Sequence, residues 1–176
     1  MRLFIAVDFN ELNKYFLELQ KLLPKNAKLS LTKTFHVTLK FLGEVQPDRA
    51  DGVIDRLIDI KFERFSVFLD GIGIFPTENY IRVVWVGIKP EGKILELQKQ
   101  VDDSLIKMFK KEKDFKAHIT LARVKYPEDK KQFLEQLNKI KVENKKIEVK
   151  NFKLMISNLT PKGHVYEDLG IFGPIV

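Results

Sequence analysis

Two of the three histidines in this chain sit in the same short context, Phe35-His36-Val37-Thr38-Leu39 and Ala117-His118-Ile119-Thr120-Leu121. Both read as strands, on which side chains alternate between faces with a period of two. His36 and Thr38 therefore share one face while Val37 and Leu39 turn to an apolar one, and His118 and Thr120 are set against Ile119 and Leu121 in the same way. Two imidazoles facing one cleft supply a general acid and a general base near neutral pH, because free histidine titrates at about pH 6.5. Two hydroxyls can donate hydrogen bonds to a tetrahedral anion. Phosphoryl transfer calls for entering and leaving oxygens roughly in line on opposite sides of phosphorus, and two opposed histidines suit that placement. A lone His-x-Thr is ordinarily a half-buried strand with its polar face in water, so the weight rests on the repetition. Zinc is the competing use of paired histidines. A catalytic zinc normally takes three protein ligands, however, there is no His-Glu-x-x-His, and His164 lies far along the chain. Metal is therefore the weaker reading of the paired histidines.

Several elements must position these strands. Asn10 reads as a helix N-cap, followed by Leu12, Tyr15, Phe16, Leu19, Leu22 and Leu23 at helical spacing until Pro24. A second helix follows Pro47 with Val53, Ile54, Leu57 and Ile58 on one face. Ile94, Leu97, Val101, Leu105 and Met108 stripe a third, and Phe133, Leu134, Leu137 and Ile140 a fourth. Branched and aromatic runs read as strands at Leu3–Val7, Phe35–Phe41, Phe65–Phe75, Ile81–Ile88, Ala117–Val124, Ile147–Ile156 and, more weakly, Val165–Phe172. The order is strand, helix, strand, helix, strand, and then the same again. The spacing from His36 to His118 is also that from Val67, Ile72 and Ile74 to Val149, Leu154 and Ile156, and Arg2 answers Arg82 two residues short of it. Residues 1–176 thus read as one two-lobed domain with an internal repeat, roughly 2–76 and 82–158. The expected fold is bilobal α+β with pseudo-twofold symmetry, two antiparallel sheets forming a V-shaped cleft and helices on the outer faces.

Composition narrows the class. The 31 Lys and Arg exceed the 24 Asp and Glu by a formal +7, which suits a polyanion such as RNA and equally a Lys/Glu-rich solvated surface. The lysines at 130, 131, 139, 141, 145 and 146 fit either reading. The absence of cysteine removes disulfide scaffolds, thiolate metal sites and Cys nucleophiles. Leu3–Val7 is too short for a secretory segment and no run approaches a membrane span, so a cytoplasmic protein is expected. Gly71-Ile72-Gly73 fails as a dinucleotide fingerprint because Pro76 occupies the third glycine position. Phe68 stands where a nucleotidyl-lysine ligase would need Lys, and no P-loop is present. Phe75 and Trp85 are read as core residues, with lining the cleft as the alternative.

The longer strings Phe35-His36-Val37-Thr38-Leu39-Lys40-Phe41-Leu42-Gly43-Glu44-Val45 and His118-Ile119-Thr120-Leu121-Ala122-Arg123-Val124 resemble the two-histidine phosphodiesterase superfamily. Within it they are most similar to the branch called RNA 2′,3′-cyclic phosphodiesterase, formerly 2′-5′ RNA ligase. Leu3-Phe4-Ile5-Ala6-Val7, Gly71-Ile72-Gly73-Ile74-Phe75-Pro76 and Ser157-Asn158-Leu159-Thr160-Pro161-Lys162-Gly163 extend the likeness over nearly the whole chain. The resemblance implies hydrolysis of a terminal RNA 2′,3′-cyclic phosphate to a 2′-phosphate, with base and acid exchanging roles if the reaction reverses toward ATP-free 2′-5′ ligation. It implies His36 as acid, His118 as base, and Thr38 and Thr120 on the nonbridging oxygens, although the twofold pattern leaves the two histidines formally interchangeable. It also implies that Phe41 and Arg123 sandwich the terminal base.

Strict alternation puts Phe41 and Arg123 on the core face, where an unpaired guanidinium is costly, so each strand is expected to end or bulge before them, with Gly43 supplying a turn. Where the family usually has Pro, His164 follows Gly163, and it is read as a surface-loop residue with a cleft-rim contact as the alternative; Tyr166 is left between a phosphate contact and edge packing. The implied partner is RNA with a cyclic phosphate end, bound by a monomer without metal, cofactor or membrane. A non-catalytic RNA-end-binding module and a phosphodiesterase of small cyclic nucleotides stand as alternatives.

Overall fold

The structure is a computed structural model describing residues 1–174. The chain runs β1 (Arg2–Asp8), a 3-10 turn (Asn10–Leu12), α1 (Asn13–Lys21), β2 (Ala27–Leu31), β3 (His36–Glu44), α2 (Pro47–Leu57), β4 (Phe65–Thr77) and β5 (Tyr80–Lys89). It continues through α3 (Gly92–Ser104), β6 (Ile119–Pro127), α4 (Lys130–Asn138), β7 (Lys146–Val149), β8 (Phe152–Thr160) and β9 (Gly163–Phe172). All strand pairs are antiparallel, in the order β7-β4-β5-β6-β3-β1-β8-β9, with β2 also on β6. The expected pair of sheets is present as two halves, β7-β4-β5-β6 and β3-β1-β8-β9, which curl into one half-barrel. They meet at a single ladder position, Val37 opposite Ile119.

Each half mixes early and late chain: β8 pairs with β1, and β7 pairs with β4. Central β1 is buried at five consecutive residues, with Leu3, Ile5 and Val7 in the main core. Phe4 and Ala6 turn to the other face and pack with Met155 and Tyr166. On the core side α1 contributes Phe16 and Leu19, α2 Val53 and Leu57, α3 Ile94, Leu97 and Val101, and α4 Phe133 and Leu137. These are the apolar stripes read from the sequence, and burying such a stripe is what holds a short helix in place.

Local details differ from expectation for identifiable reasons. Asn10 does not cap α1: its amide nitrogen donates to Asp8 Oδ1 (2.6 Å), and its side-chain oxygen accepts from Phe35 N–H (2.9 Å), tying the end of β1 to the start of β3. Ile58 is exposed just past α2, and Met108 lies in the turn after α3. The run 147–156 is two strands, broken at Lys150-Asn151 because they serve opposite halves of the sheet. Strand β2 is not marked by the sequence: Ala27-Lys28-Leu29-Ser30-Leu31 alternates, with Ala27 and Leu29 against the core, but it is a five-residue edge strand without β-branched or aromatic residues.

Behind β3 lies a buried ion pair. Lys40, 1% exposed, donates from Nζ to Asp102 Oδ1 (2.6 Å) and to the Lys110 carbonyl (2.5 Å). Asp102 Oδ2 accepts from Gln98 Nε2 (2.9 Å) and from Glu112 N–H (3.0 Å), so both charges are saturated. Removing one partner of such a pair strands the other in low dielectric. Asp102→Ala is expected to lower unfolding free energy by about 3–5 kcal/mol in a denaturant titration, and Lys40→Met with Asp102→Leu to restore most of it. Equal losses in the single and double variants would refute this account.

Candidate active site

The single seam pair sets the geometry. Val37 lies between His36 and Thr38, and Ile119 lies between His118 and Thr120. In an antiparallel pair, the neighbours on either side face each other crosswise, His36 toward Thr120 and Thr38 toward His118. The two histidines are then diagonal across the seam, with Cα positions about 7–8 Å apart in an ordinary ladder, room for a tetrahedral group between the rings. All four side chains line one cavity of about 410 Å³.

Both strands carry the expected bulge, at equivalent positions. In β3 the register with β1 passes from Ala6–Thr38 to Ile5–Lys40, leaving Leu39 as the extra residue. In β6 the register with β5 passes from Trp85–Thr120 to Val84–Ala122, leaving Leu121 extra. Leu39 and Lys40, and likewise Leu121 and Ala122, are buried in succession, so parity inverts and both Phe41 and Arg123 emerge on the cleft face. A bulge leaves a carbonyl outside the ladder, and a buried carbonyl needs a donor. The Leu121 carbonyl accepts from Thr32 N–H (3.0 Å) and from Gln20 of α1 (2.9 Å), which also donates to the Thr32 carbonyl (2.7 Å), while Gln98 of α3 reaches the Leu39 carbonyl at 3.5 Å. Neither glutamine was singled out in the sequence; a polar residue on the apolar face of an amphipathic helix was the available signal. Gly43 does not end β3; it sits within the strand at φ +71°, beside a second register shift next to Phe41, a conformation that glycine adopts without strain.

Aromatic rings wall each imidazole. His36 packs against Phe4 (centroids 5.2 Å) and edge-on to Tyr166 (5.5 Å, 88°). His118 packs edge-on to Phe75 (4.8 Å) and beside Trp85 (6.0 Å). Phe75 and Trp85 are thus half-buried supports of His118 rather than deep core. Gly73 is required beneath the indole, where a Cβ would come within 2.2 Å of Trp85. Burial in these walls pushes the His36 pKa down to about 4, against a smaller upward pull from Asp8 and a further downward push from His118. Burial also lowers His118, partly offset by its bond to the Lys116 carbonyl. That bond, 2.7 Å from Nδ1, fixes the tautomer: a carbonyl only accepts, so Nδ1 carries the proton and the Nε2 lone pair is left free.

Phe41 is 69% exposed, an aromatic face held open to the cleft. His164, assigned from sequence to a surface loop, is exposed but lines the cavity from β9, as do Ser157, Tyr166 and Arg2. Sequence reasoning gave Arg2 and Ser157 no functional place; both follow from the alternation of β1 and β8. No carboxylate lines the cavity, whose charged side chains are Arg2 and Arg123. Among the described residues, no group of three or more His, Cys, Asp or Glu side chains could hold a metal ion, and no helix is long and apolar enough to cross a membrane.

Comparison with known proteins gives a consistent family. The model of the family described as LigT like Phosphoesterase matches twice, over residues 5–85 and 86–166. The RNA 2′,3′-cyclic phosphodiesterase of Archaeoglobus fulgidus is 36% identical over 98% of this chain and 99% of its own. That of Methanocaldococcus jannaschii is 37% identical over 95% of this chain and 97% of its own. The crystal structure of TT0787 of Thermus thermophilus superposes with a TM-score of 0.79 at 28% identity, covering 98% of this chain and 97% of that one. The structure of E. coli LigT complexed with 3′-AMP also reaches 0.79, at 23% identity over 98% and 97%, a likeness of fold.

The protonation states are open to direct measurement. In a histidine NMR titration of the ligand-free protein, His36 is expected to titrate near pH 4 and His118 below 6.5. Added inorganic phosphate is expected to move both upward, since an anion between the rings favours the charged form. Unshifted titrations near 6.5 for both rings would contradict the buried, mutually repelling pair.

Proposed function

Because the chain belongs to the LigT-like phosphoesterase family, we propose that it hydrolyses the 2′,3′-cyclic phosphate at an RNA end to a 2′-phosphate, by acid–base catalysis from His36 and His118 without metal or nucleotide. The observation that carries this reading is the seam pair Val37–Ile119, which supports opposed imidazoles across one phosphorus position. Water held by His118 Nε2 attacks phosphorus and passes a proton to that nitrogen. The bond from phosphorus to the ribose 3′ oxygen breaks, and protonated His36 delivers its proton to that oxygen. The occupied Nδ1 of His118 favours it as the base. His36 is neutral in the empty cleft at pH 7, and the bound phosphate anion draws a proton onto it.

Thr38 and Thr120 donate to the nonbridging oxygens as charge builds there. Phe41 and Arg123 take the terminal base between a ring and a guanidinium, contacts that tolerate any base. A 5′ hydroxyl standing in the place of water would form a 2′-5′ linkage by the same proton transfers. The repeated strands, 2–76 and 82–158, act here as one domain, and since one chain supplies every group, a cytoplasmic monomer suffices.

The test uses an oligonucleotide ending in 2′,3′-cyclic phosphate. His36→Ala and His118→Ala are each expected to lower turnover by about 10²–10⁴-fold while retaining most of the binding. With both imidazole pKa values pushed below 6.5, the kcat/KM profile of the parent is expected to peak on the acid side of that value. Binding without turnover anywhere between about pH 5 and 8, where imidazoles titrate, would leave an RNA-end-binding module instead. Faster turnover of cyclic mononucleotides than of oligonucleotides would assign the site to small substrates.

A further inference from the structure

One end of the cleft carries polar groups that the acid–base step and the base contact do not use. The β1–β8 ladder ends at Leu3 paired with Ile156, and the next residue of each strand, Arg2 and Ser157, lines the same cavity. Ser157 is in turn paired with Tyr166 on β9, and Leu159 with His164. Alternation keeps Arg2 on the face of Phe4, Ser157 on the face of Met155, and His164 on the face of Tyr166, all toward the cavity. These groups form a row across three strands, beginning one ring beyond the catalytic histidine. Tyr166 stands 5.5 Å from His36, and His164 lies parallel to Tyr166 at 6.3 Å and 11°.

The chemistry of the row is that of an anion site. Among the described residues Arg2 has no ion-pair partner, and no carboxylate lines the cavity to neutralise it. His164 Nδ1 lies 3.0 Å from Ser157 Oγ. If the hydroxyl donates to Nδ1, the ring proton sits on Nε2; if Nδ1 donates to the hydroxyl, the O–H is released. Either way one donor remains for a ligand. A guanidinium beside such a donor matches a phosphate better than a base or a sugar.

We propose that Arg2, Ser157 and His164 form a second phosphate subsite, which takes the 5′ phosphate of the nucleotide whose cyclic end is held by His36 and His118. The proposal rests on the phosphodiesterase reading and adds to it a ligand requirement: the favoured substrate carries two phosphates, one on each side of the terminal ribose. It thereby sets polynucleotide ends above cyclic mononucleotides.

The test compares kcat/KM for adenosine 2′,3′-cyclic phosphate, its 5′-phosphorylated form, and a dinucleotide ending in the cyclic phosphate. The two substrates with a 5′ phosphate are expected to be favoured by about tenfold, the worth of one or two charge-assisted hydrogen bonds. That ratio should fall toward one in Arg2→Gln and in His164→Ala, and stay unchanged in Lys93→Ala, a charge-removing control on the exposed start of α3. Equal rates in the parent would overturn the subsite, and a preference that survives in both variants would overturn its assignment to these residues. A second measurement needs no turnover. Adenosine 2′,5′-bisphosphate should bind the parent about tenfold more tightly than adenosine 2′-phosphate, with the difference lost in both variants. A protein that hydrolyses none of the three substrates but keeps this difference would refute the phosphodiesterase reading and leave the subsite standing; loss of the difference would refute the subsite.

Discussion

A single ladder position, Val37 opposite Ile119, joins the two halves of the sheet, and the cleft exists because that contact is not extended. A continuous β3–β6 ladder would flatten the sheet and bring His36, Thr38, His118 and Thr120 into one close-packed surface. With no contact at all, the two motifs would be free to separate. One pair fixes register, and the divergence of the strands on either side leaves the cavity that His36, Thr38, His118 and Thr120 line together. Register carries such weight because a slip of one residue would turn every histidine and threonine into the core.

The bulges at Leu39 and Leu121 solve the opposite problem. Without them, strict alternation would send Phe41 and Arg123 inward, where the guanidinium would have no partner. Inverting parity has two costs, a displaced carbonyl and a shifted neighbour. The carbonyls are met by Gln20 and Gln98 from helices on the core side, which couples the aim of the cleft residues to the packing of α1 and α3. The shifted neighbour is Ala122 in one strand and Lys40 in the other. Ala122 needs nothing, whereas Lys40 requires Asp102, the Lys110 carbonyl and Gln98 behind it. Nothing in the structure explains why β3 carries lysine there.

What could be read from the sequence follows from what is periodic. The His-x-Thr pairs, the helical stripes and the strand runs all repeat with a fixed spacing, and most are found where that spacing puts them; Leu22, Ile58 and Met108 fall beyond their helices, and the run 147–156 divides into two strands. The bulges were legible too, because a charged residue on a core parity is a contradiction that the chain must resolve. Illegible were the features set by partners distant in sequence. Asn10 looks like a cap and instead ties β1 to β3; β2 alternates, but over five residues at an edge and without the β-branched or aromatic residues that marked the other strands. Gly73 looks like a failed nucleotide motif until the Trp85 ring is seen lying on it. His164 looks like a loop residue until the β8–β9 pairing brings it beside Tyr166 and into the cavity.

The electrostatics of the cleft complete the connection between fold and chemistry. Its walls are aromatic, so each imidazole is desolvated and loses its proton more readily than in water. The cleft also excludes carboxylates, so neither guanidinium is neutralised within it. An empty site of this kind has positive potential but few bound protons, a combination that only an anion relieves. On the proposed phosphodiesterase reading, a phosphate that enters would offset the desolvation and the repulsion between the rings by its charge and bring uptake of a proton with it. The acid form of His36 is, on that reading, assembled by the ligand, at the phosphorus where it is used.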